Sequence, residues 1–324
     1  MITMQVIYPG EWKDYELIDS GNQEKLERFG NYTLARPEPQ AVWKKAMSEE
    51  EWESITHARY KRRKGVDPGK QEGNDQGEWI RKKSMPDRWI IQYDHIGMKL
   101  RFRLGLTSFG HIGVFPEQAD NWNFIYDCIR QAAVGSRQSA VKVLNLFAYT
   151  GGASLAAKAA GADVVHVDSV KTVVTWAREM MENSGLKDIR WVVEDAMKFV
   201  RREVKRGNFY QGIILDPPAY GRGPEGEKWI LQDSINELTE LCSKLLEPDH
   251  GFFVLSFYSM GFSAMIGDNL VKSHFGDVPG REIGEICFRD RSGKSLPLGT
   301  FLRFINNRSE AIPSAKSFPL SVRI

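Results

Sequence analysis

From residue 141 onward, short apolar runs alternate with stretches in which apolar residues return every three or four positions. A strand buried on both faces reads as a continuous apolar run, and its covering helix reads as a 3.6-residue repeat, so this alternation predicts parallel strands joined by helices. Strands are predicted over 141–147, 164–167, 190–193, 212–215 and 251–256, with helices over 153–160, 170–184, 196–206 and 228–246. The segments 282–289 and 301–305 are predicted as an antiparallel pair at the sheet edge.

The first 120 residues carry shorter apolar and aromatic runs, such as Tyr15-Glu16-Leu17-Ile18 and Tyr32-Thr33-Leu34-Ala35, and read as β-rich. Between Arg59 and Met85 the pattern dissolves into Lys61-Arg62-Arg63-Lys64 and a run rich in Gly, Gln, Asn and Asp. Too few apolar groups remain there to offset ordering entropy, which predicts a long mobile loop over about 59–85. A hairpin is predicted next, over 88–93 and 99–104, with Lys99, Arg101 and Arg103 on one face and Leu100, Phe102 and Leu104 on the other.

At 324 residues the chain exceeds one ordinary core, which predicts a β-rich unit over 1–120 followed by an α/β unit over 121–324. With 42% hydrophobic and 27% charged residues the chain reads as globular. It has no run of about 18 apolar residues that would span a membrane, and the start shows no basic segment followed by an apolar one. Cys128, Cys242 and Cys287 are scattered and lack C-x-x-C spacing, which argues against a disulfide framework or a zinc site and for a reducing compartment; a cytoplasmic location is expected. The six histidines form no H-x-x-x-H pair, and no metal is expected. A net charge of +2 is too small to argue for or against a polyanionic partner.

In open α/β sheets ligands bind beyond the carboxyl ends of the strands, where strand order reverses. Here the strand ends form a series. The first runs into Phe147-Ala148-Tyr149-Thr150-Gly151-Gly152, whose glycines allow close approach of a ligand and whose following helix offers free N–H groups. An ordinary strand-to-helix turn explains this feature equally well. The second strand ends at Asp168, placed to accept from two ribose hydroxyls. The third ends at Glu194-Asp195-Ala196, where Asp195 can accept from an adenine amino group or simply cap the next helix. The fourth ends in Asp216-Pro217-Pro218-Ala219-Tyr220-Gly221. Two prolines stiffen this turn, so the Asp216 carboxylate and Pro217 carbonyl form a rigid acceptor pair for an amino group, with Tyr220 able to stack on a planar base.

The order of Asn145-Leu146-Phe147-Ala148-Tyr149-Thr150-Gly151-Gly152, Asp168, Asp195 and Asp216-Pro217-Pro218 resembles the class I S-adenosylmethionine-dependent methyltransferases. Within them it is most similar to bacterial large-subunit ribosomal RNA methyltransferases whose first motif reads F-x-Y-T-G-G. The resemblance covers about residues 110–305. It implies a Rossmann-like α/β domain with a mixed seven-stranded sheet, S-adenosyl-L-methionine as cofactor and S-adenosyl-L-homocysteine as product. It implies contacts to the methionine end by Phe147, Tyr149, Thr150, Gly151 and Gly152, to the ribose by Asp168, to adenine by Asp195 and Ala196, and Asp216 facing the methyl group. The stretch Gly110-His111-Ile112-Gly113-Val114-Phe115-Pro116-Glu117-Gln118 resembles the family's segment ending in Asp-Gln-Arg; Glu117-Gln118-Ala119 departs from it, and only Gln118 carries over, as a cofactor-side contact.

The chemistry departs further. Family members that methylate cytosine C5 carry a cysteine after the fifth strand, where this chain has Leu255-Ser256-Phe257-Tyr258-Ser259. Direct transfer to a nitrogen, or as the less favoured case an oxygen, with Asp216, Pro217 and Tyr220 as the catalytic set, fits better, although Ala219 interrupts the Pro-Pro-Tyr of many amino-group methyltransferases. RNA is the expected substrate. A protein or small-molecule substrate stays open, as does a non-catalytic RNA-binding protein using Lys61 to Lys64 and the Lys99/Arg101/Arg103 face. A nicotinamide dehydrogenase would need G-x-G-x-x-G, and residues 149–154 read Tyr-Thr-Gly-Gly-Ala-Ser. Trp43, Trp52, Trp79, Trp89, Trp122, Trp176 and His166 are expected mostly in packing.

Overall fold

The computed structural model describes residues 3–10, 12–62, 77–135, 140–258 and 261–307. The N-terminal elements are β1 (Met4–Ile7), β2 (Tyr15–Gly21), β3 (Glu24–Phe29), β4 (Tyr32–Pro37), α1 (Glu49–Ile55), β5 (Ala58–Arg62) and β6 (Gly77–Arg81). The hairpin β7 (Arg88–His95) and β8 (Met98–Gly105) leads through a 3-10 turn, Pro116–Gln118, into α2 (Ala119–Gly135). Strands and helices then alternate as β9 (Lys142–Leu146), α3 (Gly152–Ala159), β10 (Asp163–Asp168), α4 (Lys171–Asn183), β11 (Ile189–Val193), α5 (Ala196–Arg206) and β12 (Gly212–Leu215). A small hairpin of β13 (Tyr220–Arg222) and β14 (Lys228–Ile230) follows, then α6 (Leu231–Leu245), β15 (Asp249–Phe257), α7 (Ala264–Phe275), β16 (Glu282–Arg289) and β17 (Ser295–Asn307).

The large sheet has the order β1-β16-β17-β15-β12-β9-β10-β11. Strands β15, β12, β9, β10 and β11 are mutually parallel, and β17 inserts antiparallel between β15 and β16. These are the seven strands of the expected mixed sheet, joined by β1, which pairs parallel to β16 and brings the chain's N-terminal strand to the sheet's far edge. Strand order reverses on either side of β9, so a crevice is expected at the carboxyl ends of β9 and β12.

The period of two along the strands sorts side chains onto two cores. Val143, Val164, Ile214 and Val254 face one core with Trp122 and Ile125 of α2, Leu155 of α3 and Met180 of α4. Leu144, Val165, Leu215 and Phe253 face the other with Phe199 of α5, Leu238 of α6 and Val271 of α7. The β7–β8 hairpin joins the first core: Leu100, Phe102 and Leu104 are buried while Lys99 and Arg101 are exposed, as its alternation predicts.

The second sheet has the order β2-β3-β4-β5-β6. The loop expected over 59–85 is shorter than its composition suggests, because Ala58–Arg62 and Gly77–Arg81 pair antiparallel, from Ala58 opposite Arg81 to Arg62 opposite Gly77. Arg63 and Lys64 lie outside the described residues. The helix expected from 228 begins at Leu231, because Lys228–Ile230 pairs with Tyr220–Arg222 instead.

Candidate active site

The loop after β9 is held in an uncommon conformation. Phe147 and Tyr149 have φ of 54° and 48°, left-handed values that cost a side chain free energy and persist only where surrounding contacts enforce them. Those contacts are present: Ala148 N–H donates to the Val167 carbonyl at 3.1 Å, Tyr149 N–H to Asp168 Oδ2 at 2.9 Å, and Thr150 Oγ1 to the Gly113 carbonyl at 2.7 Å. Gly151, at φ 90°, then opens α3 with no side-chain cap. The first backbone acceptance at this end is Gly151 carbonyl from Leu155, which leaves the N–H groups at the start of α3 available to an anionic group. Gly152 is required sterically, since a Cβ there would sit 2.5 Å from Trp122.

A cleft opens where topology places it. Of the residues expected at a site, Gln118, Phe147, Tyr149, Thr150, Gly151, Gly152 and Asp216 line it together. Asp168 stands behind this wall, its carboxylate accepting from Tyr149 N–H and, at 2.9 Å, from Val170 N–H. Burial raises its pKa, and those backbone donors oppose the rise. Asp195, Ala196, Pro217 and Tyr220 are not part of the cleft lining. Asp195 caps α5 by accepting from Lys198 N–H at 2.9 Å, and Ala196 is buried as the first residue of that helix. Pro217 is buried; Tyr220 begins β13 half-buried, its hydroxyl accepting from Arg222 Nε at 3.1 Å.

The cleft also contains polar residues the sequence reading did not select. Asn121 Nδ2 donates to Gln118 Oε1 at 2.9 Å and to Ser256 Oγ at 3.2 Å, tying the start of α2 to the end of β15. The i, i+3 spacing of Gln118 and Asn121 was the available signal. Asn145 Nδ2 donates to Ser154 Oγ at 2.9 Å, and that oxygen lies 3.0 Å from His166 Nδ1. His166 is buried beneath the glycine loop, and desolvation pushes its pKa down to about 3, so the ring is neutral.

Two carboxyls define the electrostatics. Asp216 is pushed up to about 7, first by burial and then by the negative charge of Glu117. Glu117, only 4% exposed, is likewise pushed up to about 7 by burial, against the pull of Lys25. Among the described residues no group of three or more His, Cys, Asp or Glu side chains is placed to hold a metal, and no helix is long and apolar enough to cross a membrane. The donors and acceptors present suit an adenosyl amino acid: open helix N–H groups for a carboxylate, and an aspartate at the end of β10 for ribose hydroxyls.

Comparison with known proteins agrees with this chemistry. Residues 34–256 match the model of the S-adenosylmethionine-dependent methyltransferase family. A solved S-adenosylmethionine-dependent methyltransferase from Agrobacterium tumefaciens is 33% identical, with a TM-score of 0.81 over 94% of each chain. A Streptococcus mutans protein of 15% identity shares the fold, with a TM-score of 0.66 over 91% of this chain and 76% of its own. The ribosomal RNA large subunit methyltransferase K/L of Shewanella baltica is 31% identical over 153 residues, which are 46% of this chain but 20% of that protein. The chain thus spans about a fifth of that relative's length. Family model, near-complete structural match and the lining of the cleft agree, and the chain belongs to the S-adenosylmethionine-dependent methyltransferases, enzymes that use this cofactor as methyl donor.

Proposed function

We propose that this methyltransferase modifies an amino nitrogen of RNA, ribosomal RNA in the first instance. The observation that carries the nitrogen assignment is Asp216: it directly follows β12 and lines the cleft, and no hydrogen bond from the described residues reaches its carboxyl, which leaves it open to a substrate N–H. The RNA assignment is supported by the ribosomal RNA methyltransferase similarity and by exposed Lys99 and Arg101 on β8. Arg103 contributes less to that face, because its guanidinium pairs with Glu179 at 2.6 Å and stacks over Trp176.

S-adenosylmethionine, when bound, supplies an electrophilic sulfonium methyl whose sulfur keeps the electron pair as the carbon–sulfur bond breaks. The protein's part is binding, orientation and exclusion of water. In this reading the start of α3 with Phe147, Tyr149, Thr150, Gly151 and Gly152 holds the methionine end and Asp168 the ribose, while Gln118 orders the wall opposite. Asp195 and Ala196 take the adenine. Asp216 and the rigid Pro217 carbonyl orient the acceptor, and Tyr220 covers it. Residues 1–120 act in substrate selection. Cys128, Cys242 and Cys287 are all free thiols, which suits a reducing, cytoplasmic setting.

Calorimetric titration with S-adenosylhomocysteine followed by a tritiated-methyl assay on unmodified ribosomal RNA tests this reading. Incorporation that maps to an exocyclic nitrogen supports it. Tight cofactor binding with no incorporation into RNA directs the search to proteins or small molecules.

A further inference from the structure

The side of the cleft that faces the glycine loop is built by the chain from Gly113 to Trp122. The Gly113 carbonyl accepts from Thr150, the Phe115 ring lies 5.2 Å from Tyr149, and Trp122 packs against Gly152. Gln118 is held within this stretch and lines the cleft with Asn121 and Ser256. A side-chain amide has a donating end and an accepting end, and the groups around it decide which way it faces.

Here Arg303 decides. It lies on β17 opposite Val254 of β15 and Glu282 of β16, and its guanidinium rests over Phe124 and Phe301, 4.7 and 5.1 Å from their ring centres. Asp120 Oδ2 at 2.7 Å and Glu282 Oε2 at 2.8 Å anchor it. Its Nη1 also reaches Asn121 Oδ1, at 3.4 Å. A guanidinium has only hydrogens to give, so Asn121 turns its oxygen toward Arg303 and its Nδ2 away. Nδ2 then donates to Gln118 Oε1 and to Ser256 Oγ, and Ser256 Oγ in turn donates to Gln118 Oε1 at 3.3 Å. Asn121 and Ser256 are both buried, so water does not compete for these bonds. Among the described residues, both hydrogen bonds of the Gln118 amide therefore end on its oxygen. Its Nε2, which has two hydrogens to give and nothing to accept with, is left for the cleft.

We propose that Arg303 and Asn121 are positioning residues that fix the polarity of the Gln118 amide, so that Gln118 gives an N–H to the carboxylate of the cofactor's methionine end. This rests on the reading that places that end at the glycine loop. An amino acid offers a carboxylate that accepts and an ammonium that donates, and an Nε2 group serves only the first. The start of α3 at Gly151 and Gly152 supplies backbone donors from the other wall. A carboxylate gripped from both walls orients the methionine arm before the methyl acceptor arrives.

Two ligands separate this role from packing. S-adenosylhomocysteine carries the carboxylate, whereas methylthioadenosine keeps the thioether nucleoside and has a methyl in place of the amino-acid arm. Calorimetry on the full chain is expected to show Asn121→Asp weakening S-adenosylhomocysteine about tenfold and leaving methylthioadenosine within about twofold. The aspartate still accepts from Arg303, but its second oxygen turns the Gln118 amide around and points Oε1 at the ligand carboxylate. In a Gln118→Ala background the same substitution is expected to cost S-adenosylhomocysteine less than about twofold, because no amide remains to turn. An undiminished loss there means that the new charge acts on the ligand directly, and overturns the relay. Gln118→Glu keeps both hydrogen bonds on one carboxylate oxygen and aims the other at the ligand. It is expected to lose S-adenosylhomocysteine about tenfold with methylthioadenosine unchanged, and it decides the matter if Asn121→Asp does not fold. A wild type that binds the two ligands equally would remove the methionine end from this cleft, and the proposal with it. A wild-type preference for S-adenosylhomocysteine that neither variant reduces overturns the relay alone and gives the Gln118 hydrogens to the methyl acceptor.

Discussion

The Trp229 indole N–H donates to the Pro218 carbonyl at 2.7 Å, and the same ring lies 4.7 Å from Phe147. One side chain thus ties the loop after β12 to the loop after β9. The β13–β14 hairpin exists, in this sense, to deliver Trp229, and the Asp216 turn is braced from the C-terminal side by a residue ten or so positions further on.

Trp229→Phe keeps the ring contact and removes the hydrogen bond. A stability loss of about 1 kcal/mol is expected, with a larger proportional loss in kcat than in cofactor affinity, because the acceptor loop is loosened while α3 is untouched. Urea unfolding alongside methyl-transfer kinetics checks it; equal losses in both parameters would mean a general packing defect.

Asp168→Ala is expected to weaken S-adenosylhomocysteine binding more than tenfold, about 1.4 kcal/mol or more, because it removes the proposed ribose acceptor and, with it, the carboxylate that holds Tyr149 N–H. Calorimetry of the two proteins decides it, and an unchanged Kd would place the ribose elsewhere.

Gly152→Ala puts a Cβ 2.5 Å from the Trp122 ring. Overpacking of this kind costs about 1–3 kcal/mol. Pairing it with Trp122→Leu should recover much of that loss, a coupling readable from a double-mutant cycle by thermal unfolding.

Glu117→Gln carries a pH signature in stability. The folded-state pKa is raised to about 7 from 4.5, so the folded protein is penalised above about pH 7, and the penalty disappears as pH falls below the unfolded value. The variant is expected to be more stable than wild type by on the order of 2 kcal/mol at about pH 8 and no more stable at about pH 4. Denaturant unfolding at the two pH values checks the sign. A variant less stable at both would show that Glu117 is held by contacts rather than strained by burial.

The α/β half of the chain was legible because its signal is local. Each strand from β9 to β12 is a segment of four to six residues dominated by Val, Ile and Leu, and α5 announces itself with Asp195 before it and Gly207, at φ 66°, after it. What escaped the sequence depends on distant partners. Lys228–Ile230 has helical neighbours and becomes a strand only because Tyr220–Arg222 folds back on it. The ends of the 59–85 stretch become strands because β5 finds β4 on one side and β6 on the other. Glu117 read as a departure from a family pattern, and only the folded chain shows that it is buried within reach of the charges of Lys25, Glu27 and Arg36. Trp122 was rightly placed in packing, but its contact with Gly152 also makes it part of the cleft wall.

Strand β1 lies in register with β16, Met4 opposite Ile283 and Ile7 opposite Ile286. Residues 4–7 therefore wait for residues about 280 positions further along the chain before their hydrogen bonds can form, and closing that loop carries a large entropy that makes the pairing a late event in folding. Until then both Met4–Ile7 and the edge of β16 present unpaired backbone, the kind of edge through which nascent chains associate wrongly. Cutting the gene at residue 121 to obtain the α/β half alone would make that transient edge permanent, so solubility of such a fragment is the property most at risk.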